Sequence, residues 1–277
     1  MSVFKNILIK YAAAALILLT AVFTAGCDQV DIIEPVNIYK ENVVVRAELI
    51  ANKTFAGVVF TKTLPIGTTY SPETAGLRDI EAYIKVNGNQ VIPLHNAGNG
   101  LYKTLYDYKI KQGTYYELFA KHYGDPIYSK TYVPEVPNVR NVMYRSESFY
   151  LQGEVQANQK EAYGATWSYQ AGSSGEMEAG DFYSIGNLPA TSGTGKLIVR
   201  SLAIPEQYRG SGIFSKFDLK VYAFDKAFQN YFRTKGNGKA VEDSFIHGGD
   251  NIGWNIQGRN AIGLFIGYSV SAPIPQK

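Results

Sequence analysis

The stretch DIEAYIKVNGNQVIPL, residues 79–94, decides how this chain folds. Ile80, Ala82, Ile84 and Val86 alternate with Asp79, Glu81, Tyr83 and Lys85. A period of two puts one set on a core and the other in water, which makes a β-strand. Asn87-Gly88 follows directly. It is the preferred pair for a type I′ turn, whose two central residues both take positive φ. Gln90–Leu94 then returns as the second strand of a hairpin.

The same pattern extends in both directions. Val43, Val45, Ala47 and Leu49 alternate with Val44, Arg46, Glu48 and Ile50. Gln112-Gly113 and Asp125-Pro126 predict turns between strands at Leu101–Ile110, Thr114–Lys121 and Ile127–Val133. Short strands at this spacing, with no amphipathic helix between them, predict an Ig-like β-sandwich over residues 41–135. Pro134 and Pro137 favour extended backbone and mark a linker.

Beyond the linker, residues 136–277 predict a second β-rich domain with one amphipathic helix. Strands are expected at Val142–Tyr150, Ala165–Gln170, Lys196–Leu202 and Lys216–Ala223, and extended loops over Ala157–Gly195. Phe224, Phe228, Tyr231 and Phe232 fall at i, i+4, i+7 and i+8, a single apolar stripe that predicts a helix near 223–235, stopped by Gly236. Ala261–Val270 reads as the last strand, and Gly263 and Gly267 within it predict a close backbone approach or a bulge. The expected fold class is therefore all-β.

Composition excludes several function classes. Apolar residues make up 45% of the 277, too many for a disordered chain. A single cysteine excludes an intrachain disulfide and any multi-thiolate zinc or iron–sulfur site. A formal charge of +3 provides no concentrated basic face for nucleic acid.

The first 27 residues carry an address. Lys5 and Lys10 precede the uncharged run YAAAALILLTAVFTAG, residues 11–26. That run is shorter than the ~20 apolar residues of a spanning helix and reads as the apolar region of a signal peptide, residues 1–26. Thr24-Ala25-Gly26-Cys27 resembles the bacterial lipobox, with Thr24 where Leu is usual. The Cys27 thiol is the one side chain here nucleophilic enough to become a thioether, so Cys27 is the expected lipidation site. Loss of Lys5 and Lys10 with the signal lowers the formal charge from +3 to +1. Residues 27–40 then form a tether in which Pro35 opposes helix.

Several short runs in order resemble the domain-of-unknown-function family 4249, lipoproteins of the Bacteroidota. They are Cys27–Ile32, the Val43–Leu49 strand, Thr61–Pro65, Tyr132–Pro137, Val221-Tyr222, Asp250–Ile252 and Ala261–Gly267 with Ser269. The resemblance implies a two-domain, mostly β lipoprotein of the outer membrane, often encoded beside TonB-dependent transporters; the expected partners are the membrane, through the N-terminal lipid, and a TonB-dependent receptor. It implies no established activity, no cofactor and no functional residues.

Candidate chemistry is thin. Ser192–Lys196 hints at a phosphate loop, but Ala190 and Leu197 stand where Gly and Ser or Thr are needed, and a strand follows. Asp243, Ser244 and His247 can be written as a triad, yet no nucleophile elbow surrounds Ser244. His95 and His122 have no metal-ligand spacing, and Glu176 and Glu178 read as a solvated acidic stretch. The expectation is a protein without catalytic or metal residues.

Tyrosine is the compositional outlier, at 21 residues. Tyr102, Tyr106, Tyr108 and Tyr115 crowd one region, and Tyr163, Trp167 and Tyr169 another. Such rings serve interfaces, and they serve equally as strand residues of a sandwich. They are the candidate binding aromatics, for a glycan or a partner barrel. The expected function is that of a lipid-anchored outer-membrane accessory or binding protein. The alternatives are a surface adhesin or structural envelope protein, and a β-sandwich hydrolase.

Overall fold

A computed structural model describes residues 39–65, 67–170, 176–189, 193–209, 216–235 and 252–276. The expected signal peptide, Cys27, Ser192, Gly236, Asp243, Ser244 and His247 lie outside the described residues. The N-terminal strands are β1 (Val43–Ile50), β2 (Val58–Lys62), β3 (Ile80–Val86), β4 (Gln90–Asn96), β5 (Leu101–Lys103), β6 (Thr114–His122) and β7 (Asp125–Val133). They are followed by β8 (Val139–Arg145), β9 (Tyr150–Asn158), β10 (Glu161–Gln170), β11 (Glu176–Glu178) and β12 (Thr194–Arg200). The last are β13 (Phe217–Asp225), β14 (Gln257–Gly258), β15 (Ala261–Val270) and β16 (Ile274–Pro275). Two α-helices, Pro72–Ala75 and Ala227–Lys235, accompany them among the described residues. The fold is all-β, as the alternating sequence predicts.

Strand order in the large sheet is β11-β10-β13-β15-β1-β2-β5-β4-β3-β6-β7-β14, with β16 on the side of β13. A separate sheet has the order β12-β9-β8. The alternation read from the sequence sets the core. β1 buries Val43, Val45, Ala47 and Leu49 and turns Arg46 and Glu48 outward. The N-terminal half wraps around Val45, Leu49, Phe60, Tyr116, Leu118 and Phe265. A second cluster, with Leu151, Val155, Trp167, Phe217 and Leu219, fills the space between β9 and the β10–β13 ladder. The predicted turn is present, with Asn87 at φ 46° and Gly88 at φ 74°.

The C-terminal strand joins the two halves. β15 runs parallel to β1, from Val43 opposite Ala261 to Ile50 opposite Tyr268. Its end also pairs with β13, Phe224 facing Tyr268. The sheet therefore continues across residue 136, and the first core takes Ile256 and Phe265 from beyond it. Both glycines of β15 are sites of close approach. A Cβ on Gly263 would lie 1.9 Å from the Val45 carbonyl oxygen, and one on Gly267 would lie 2.5 Å from that of Tyr132.

Several elements differ from the sequence reading, each for a local reason. The strand expected over Leu101–Ile110 ends at Lys103. Thr104 Oγ1 donates to the Tyr106 carbonyl at 2.5 Å, which bends the chain. The rest pairs with another loop, Phe55 N–H donating to Tyr108 O at 2.8 Å. Val142–Tyr150 is not one strand either. It spans a hairpin between β8 and β9 whose turn puts Phe149 at φ 58°. The turn expected at Asp125-Pro126 sits at Tyr123-Gly124, with φ of 47° and 95°. Pro126 follows a narrow His122–Asp125 pair, so its missing N–H points away from β6 and costs no ladder bond.

Besides the expected strand at Ala165–Gln170, which is the second half of β10, the loops expected over Ala157–Gly195 contain the first half of β10 and β11. β10 is buried on both faces from Glu161 to Ser168, so it carries no alternation to read. The helix begins at Ala227, and Phe224 belongs to β13. The i, i+4 spacing survives as a stacked contact between the Phe224 and Phe228 rings, centroids 4.2 Å apart.

Candidate functional site

Two arrangements of aromatic residues emerge. The first lies on the outward face of β3, β6 and β7. Register places Tyr83 opposite Phe119, Phe119 opposite Tyr128, and Tyr115 opposite Tyr132. Ring centroids are 5.1 Å apart in the first pair, 5.0 Å in the second and 4.9 Å in the third. Between these two aromatic rows runs a charged one, Lys85–Glu117–Lys130. Lys130 lies 3.2 Å from Glu117 and 5.0 Å from the centre of the Tyr115 ring, while Lys85 sits 5.2 Å from that of Phe119. The hydrogen bond with Glu117 raises the Lys130 pKa, so Lys130 stays charged. Tyr83 and Tyr115 are each 37% exposed.

The second arrangement is a cavity of about 420 Å³ over β10, β13, β15 and β1, walled by the Phe182 segment and the Ala227–Lys235 helix. Tyr222 and Phe224 lie side by side on β13, their planes within 10°. Phe182 stands edge-on to both, at 5.2 and 5.5 Å. Gly164 makes that possible, because a Cβ there would come within 2.5 Å of Ile185 and 2.8 Å of Phe182.

Glu178 is the polar hub beside these rings. It accepts hydrogen bonds from Lys220 Nζ at 2.5 Å, Thr166 Oγ1 at 2.7 Å and the Tyr222 hydroxyl. Burial opposes its ionisation, but these bonds outweigh burial and hold its pKa below the usual carboxylate value. Burial and the neighbouring carboxylates push the Tyr222 and Tyr268 hydroxyls up, so both remain protonated donors at neutral pH. Tyr268 donates to Glu48 Oε2 at 3.1 Å.

The candidate aromatics named from sequence divide sharply. Tyr102, Tyr108, Tyr163 and Trp167 are core residues and present no open face. Tyr102 Oη accepts from Ile80 N–H at 3.0 Å and donates to Leu77 O at 3.3 Å. Tyr163 Oη accepts from Asn158 N–H at 3.0 Å and donates to Glu161. Tyr169 packs on Phe217, centroids 5.0 Å apart. Only Tyr106, which is 55% exposed, and Tyr115 are open to solvent. Tyr83, Phe119, Tyr128 and Tyr132 join Tyr115, and their even spacing along β6 and β7 was the signal that could have found them.

Glu176 and Glu178 are not a solvated stretch. Both contact Lys220, Glu176 at 3.4 Å. His95 pairs with Lys103 in the β4–β5 ladder, and His122 ends β6 against the Tyr123 ring. Among the described residues no cluster of three or more His, Cys, Asp or Glu could hold a metal ion, and no helix is long and apolar enough to cross a membrane. Neither a protein-family model nor any curated protein matches the chain.

Proposed function

We propose that this protein is a lipid-anchored accessory protein of the outer membrane that docks, through the outward face of β3, β6 and β7, on a TonB-dependent receptor, and that it catalyses no reaction. The observation that carries the reading is the double aromatic row, Tyr83–Phe119–Tyr128 and Tyr115–Tyr132, on an open sheet face. Flat aromatic surface with interleaved cations is the chemistry of a protein interface, since tyrosine contributes large contact area with few rotors to freeze. The lipobox at Cys27 supports attachment to a bilayer. The ordered resemblance to a Bacteroidota lipoprotein family supports the membrane and the partner. The cavity does not favour catalysis, because its best-placed carboxylate, Glu178, is held ionised by three donors.

Recovery of the native protein from detergent-solubilised outer membranes tests the docking. A receptor should co-purify, and Tyr83→Ser with Tyr115→Ser should reduce its yield although a melting curve shows the variant still folds cooperatively. A protein that purifies alone defeats the proposal. Cys27→Ala should move the chain out of the membrane fraction or block its processing; retention of a fully processed protein on the membrane would refute the lipid anchor.

A further inference from the structure

The cavity carries an inference independent of the docking face. At about 420 Å³ it falls within the range of small-molecule sites, ~300–1,000 Å³. One side is apolar, formed by Phe224, Phe228, Leu264 and Ile266. The charges along its rim are unequally matched. Glu178 is bound by Lys220 at 2.5 Å, and Asp181 by Lys235 at 3.0 Å. Arg46 and Glu48, by contrast, border the cavity and form no ion pair among the described residues. Both lie on the outward face of β1, two residues apart, so their backbones are separated by roughly 7 Å. Glu48 keeps one carboxylate oxygen clear of the Tyr268 bond.

We propose that this cavity binds a small zwitterion with an apolar body, as presented by an apolar amino acid or dipeptide. Its ammonium group sits on Glu48 beside the Tyr268 ring, its carboxylate on Arg46, and its side chains over Phe224 and Phe228. A purely anionic amphiphile would bring its head to Arg46 with Glu48 opposing it two residues away. A purely cationic one would leave Arg46 opposing it. Only a ligand with both charges satisfies the pair, and the tyrosine faces add attraction for the ammonium end. The Glu178–Lys220 pair takes no part in charge recognition. It holds Tyr222 by its hydroxyl and fixes the floor.

Calorimetric titration of the detergent-solubilised full chain with phenylalanyl-leucine tests this. The free dipeptide should bind, and either N-acetylation or C-terminal amidation should weaken it roughly tenfold, the equivalent of one charge-assisted hydrogen bond. Glu48→Gln should erase the penalty of acetylation, and Arg46→Met the penalty of amidation. Both side chains are exposed, so neither change disturbs the core, and a melting curve for each variant verifies the fold. If the acetylated amide binds as tightly as the free dipeptide, the cavity is merely apolar and the proposal is wrong. If no dipeptide form gives heat or a melting shift at millimolar concentration, it is equally wrong.

Discussion

Thr131 Oγ1 donates its proton to Asp225 Oδ2 at 3.1 Å and itself accepts from Gly267 N–H at 2.8 Å. Asp225 also accepts from Tyr132 N–H at 2.5 Å and from Ala227 N–H at 2.9 Å, at the start of the Ala227–Lys235 helix. Three segments thus meet at one carboxylate, β7, β13 and the helix, and Thr131 links β15 to it. Thr131→Val keeps the shape and deletes the link, leaving the Gly267 amide buried without its acceptor. The expected cost is about 1–3 kcal/mol by denaturant titration. Asp225→Ala should cost more, about 2–4 kcal/mol, because a helix N-terminus and a charged acceptor are lost together. Equal costs for the two would show that Asp225 acts only through Thr131.

Gly263 makes the parallel pairing of β15 with β1 possible. Its φ of 126° is one that side chains rarely adopt, and its missing Cβ leaves room for the Val45 carbonyl. Gly263→Ala should destabilise by about 3 kcal/mol or more, or prevent folding, since backbone cannot give way as a side-chain tip can. Gly195→Ala is the control: the nearest atoms are the ends of Leu188 at 3.4 and 3.5 Å, and a change within about 1 kcal/mol is expected. Comparable loss in both variants would remove close approach as the reason for the Gly263 position.

Gly263 and Gly267 were legible in the sequence as points of close backbone approach. Strands with a strict period of two, such as Ile80–Val86, read correctly because one face meets a core and the other meets water. β10 was legible only over Ala165–Gln170; its first half was not, because Ala162 and Gly164 are small and both faces are covered. The β1–β15 pairing joins the two ends of the described fold, and no local pattern encodes it. The tyrosines failed for a different reason. Tyr115 and Tyr116 are neighbours with opposite fates, and parity along the strand separates them. Tyr102 is buried because its hydroxyl finds backbone partners at Leu77 and Ile80, which composition cannot reveal. The cavity was invisible for the same reason: Arg46, Glu178, Tyr222 and Tyr268 come from four strands.

Glu161 and Glu178 should respond to pH in opposite senses. Burial raises the Glu161 pKa, with the Glu135 charge adding, against the opposing Tyr163 hydrogen bond and Lys160. A folded pKa above the unfolded one means its contribution is fully present below the unfolded value and is lost as pH rises through the folded one. Glu161→Gln should therefore raise the melting temperature at pH 8 and change it little at pH 4. The Glu178 pKa is lowered, so its contribution is present above the unfolded value and is lost as pH falls through the folded one. Glu178→Gln should lower stability at neutral pH by about 1–3 kcal/mol and flatten the acid limb. Melting temperatures across pH 3–9 decide it, and a neutral-pH loss in both variants would contradict the assignment for Glu161.

The Tyr83–Phe119 pair separates sheet stability from docking. The rings are directly opposite, 5.1 Å between centroids and 12° between planes, so each supports the other. Their double-mutant cycle to alanine should yield a coupling of about 0.5–1.5 kcal/mol in stability, the range of aromatic pairs. Tyr115 and Tyr132 form a separate pair on the same face, 4.9 Å apart, and should show little coupling to Tyr83 in stability. Receptor binding should follow a different rule. If one partner covers both rows, the alanine changes at Tyr83 and Tyr115 weaken binding together, even though they are uncoupled in folding. A face that serves only the sheet would show the stability coupling and no effect of either change on co-purification. The contrast between the two measurements, made on the same variants, decides whether these rings exist for the fold or for a partner.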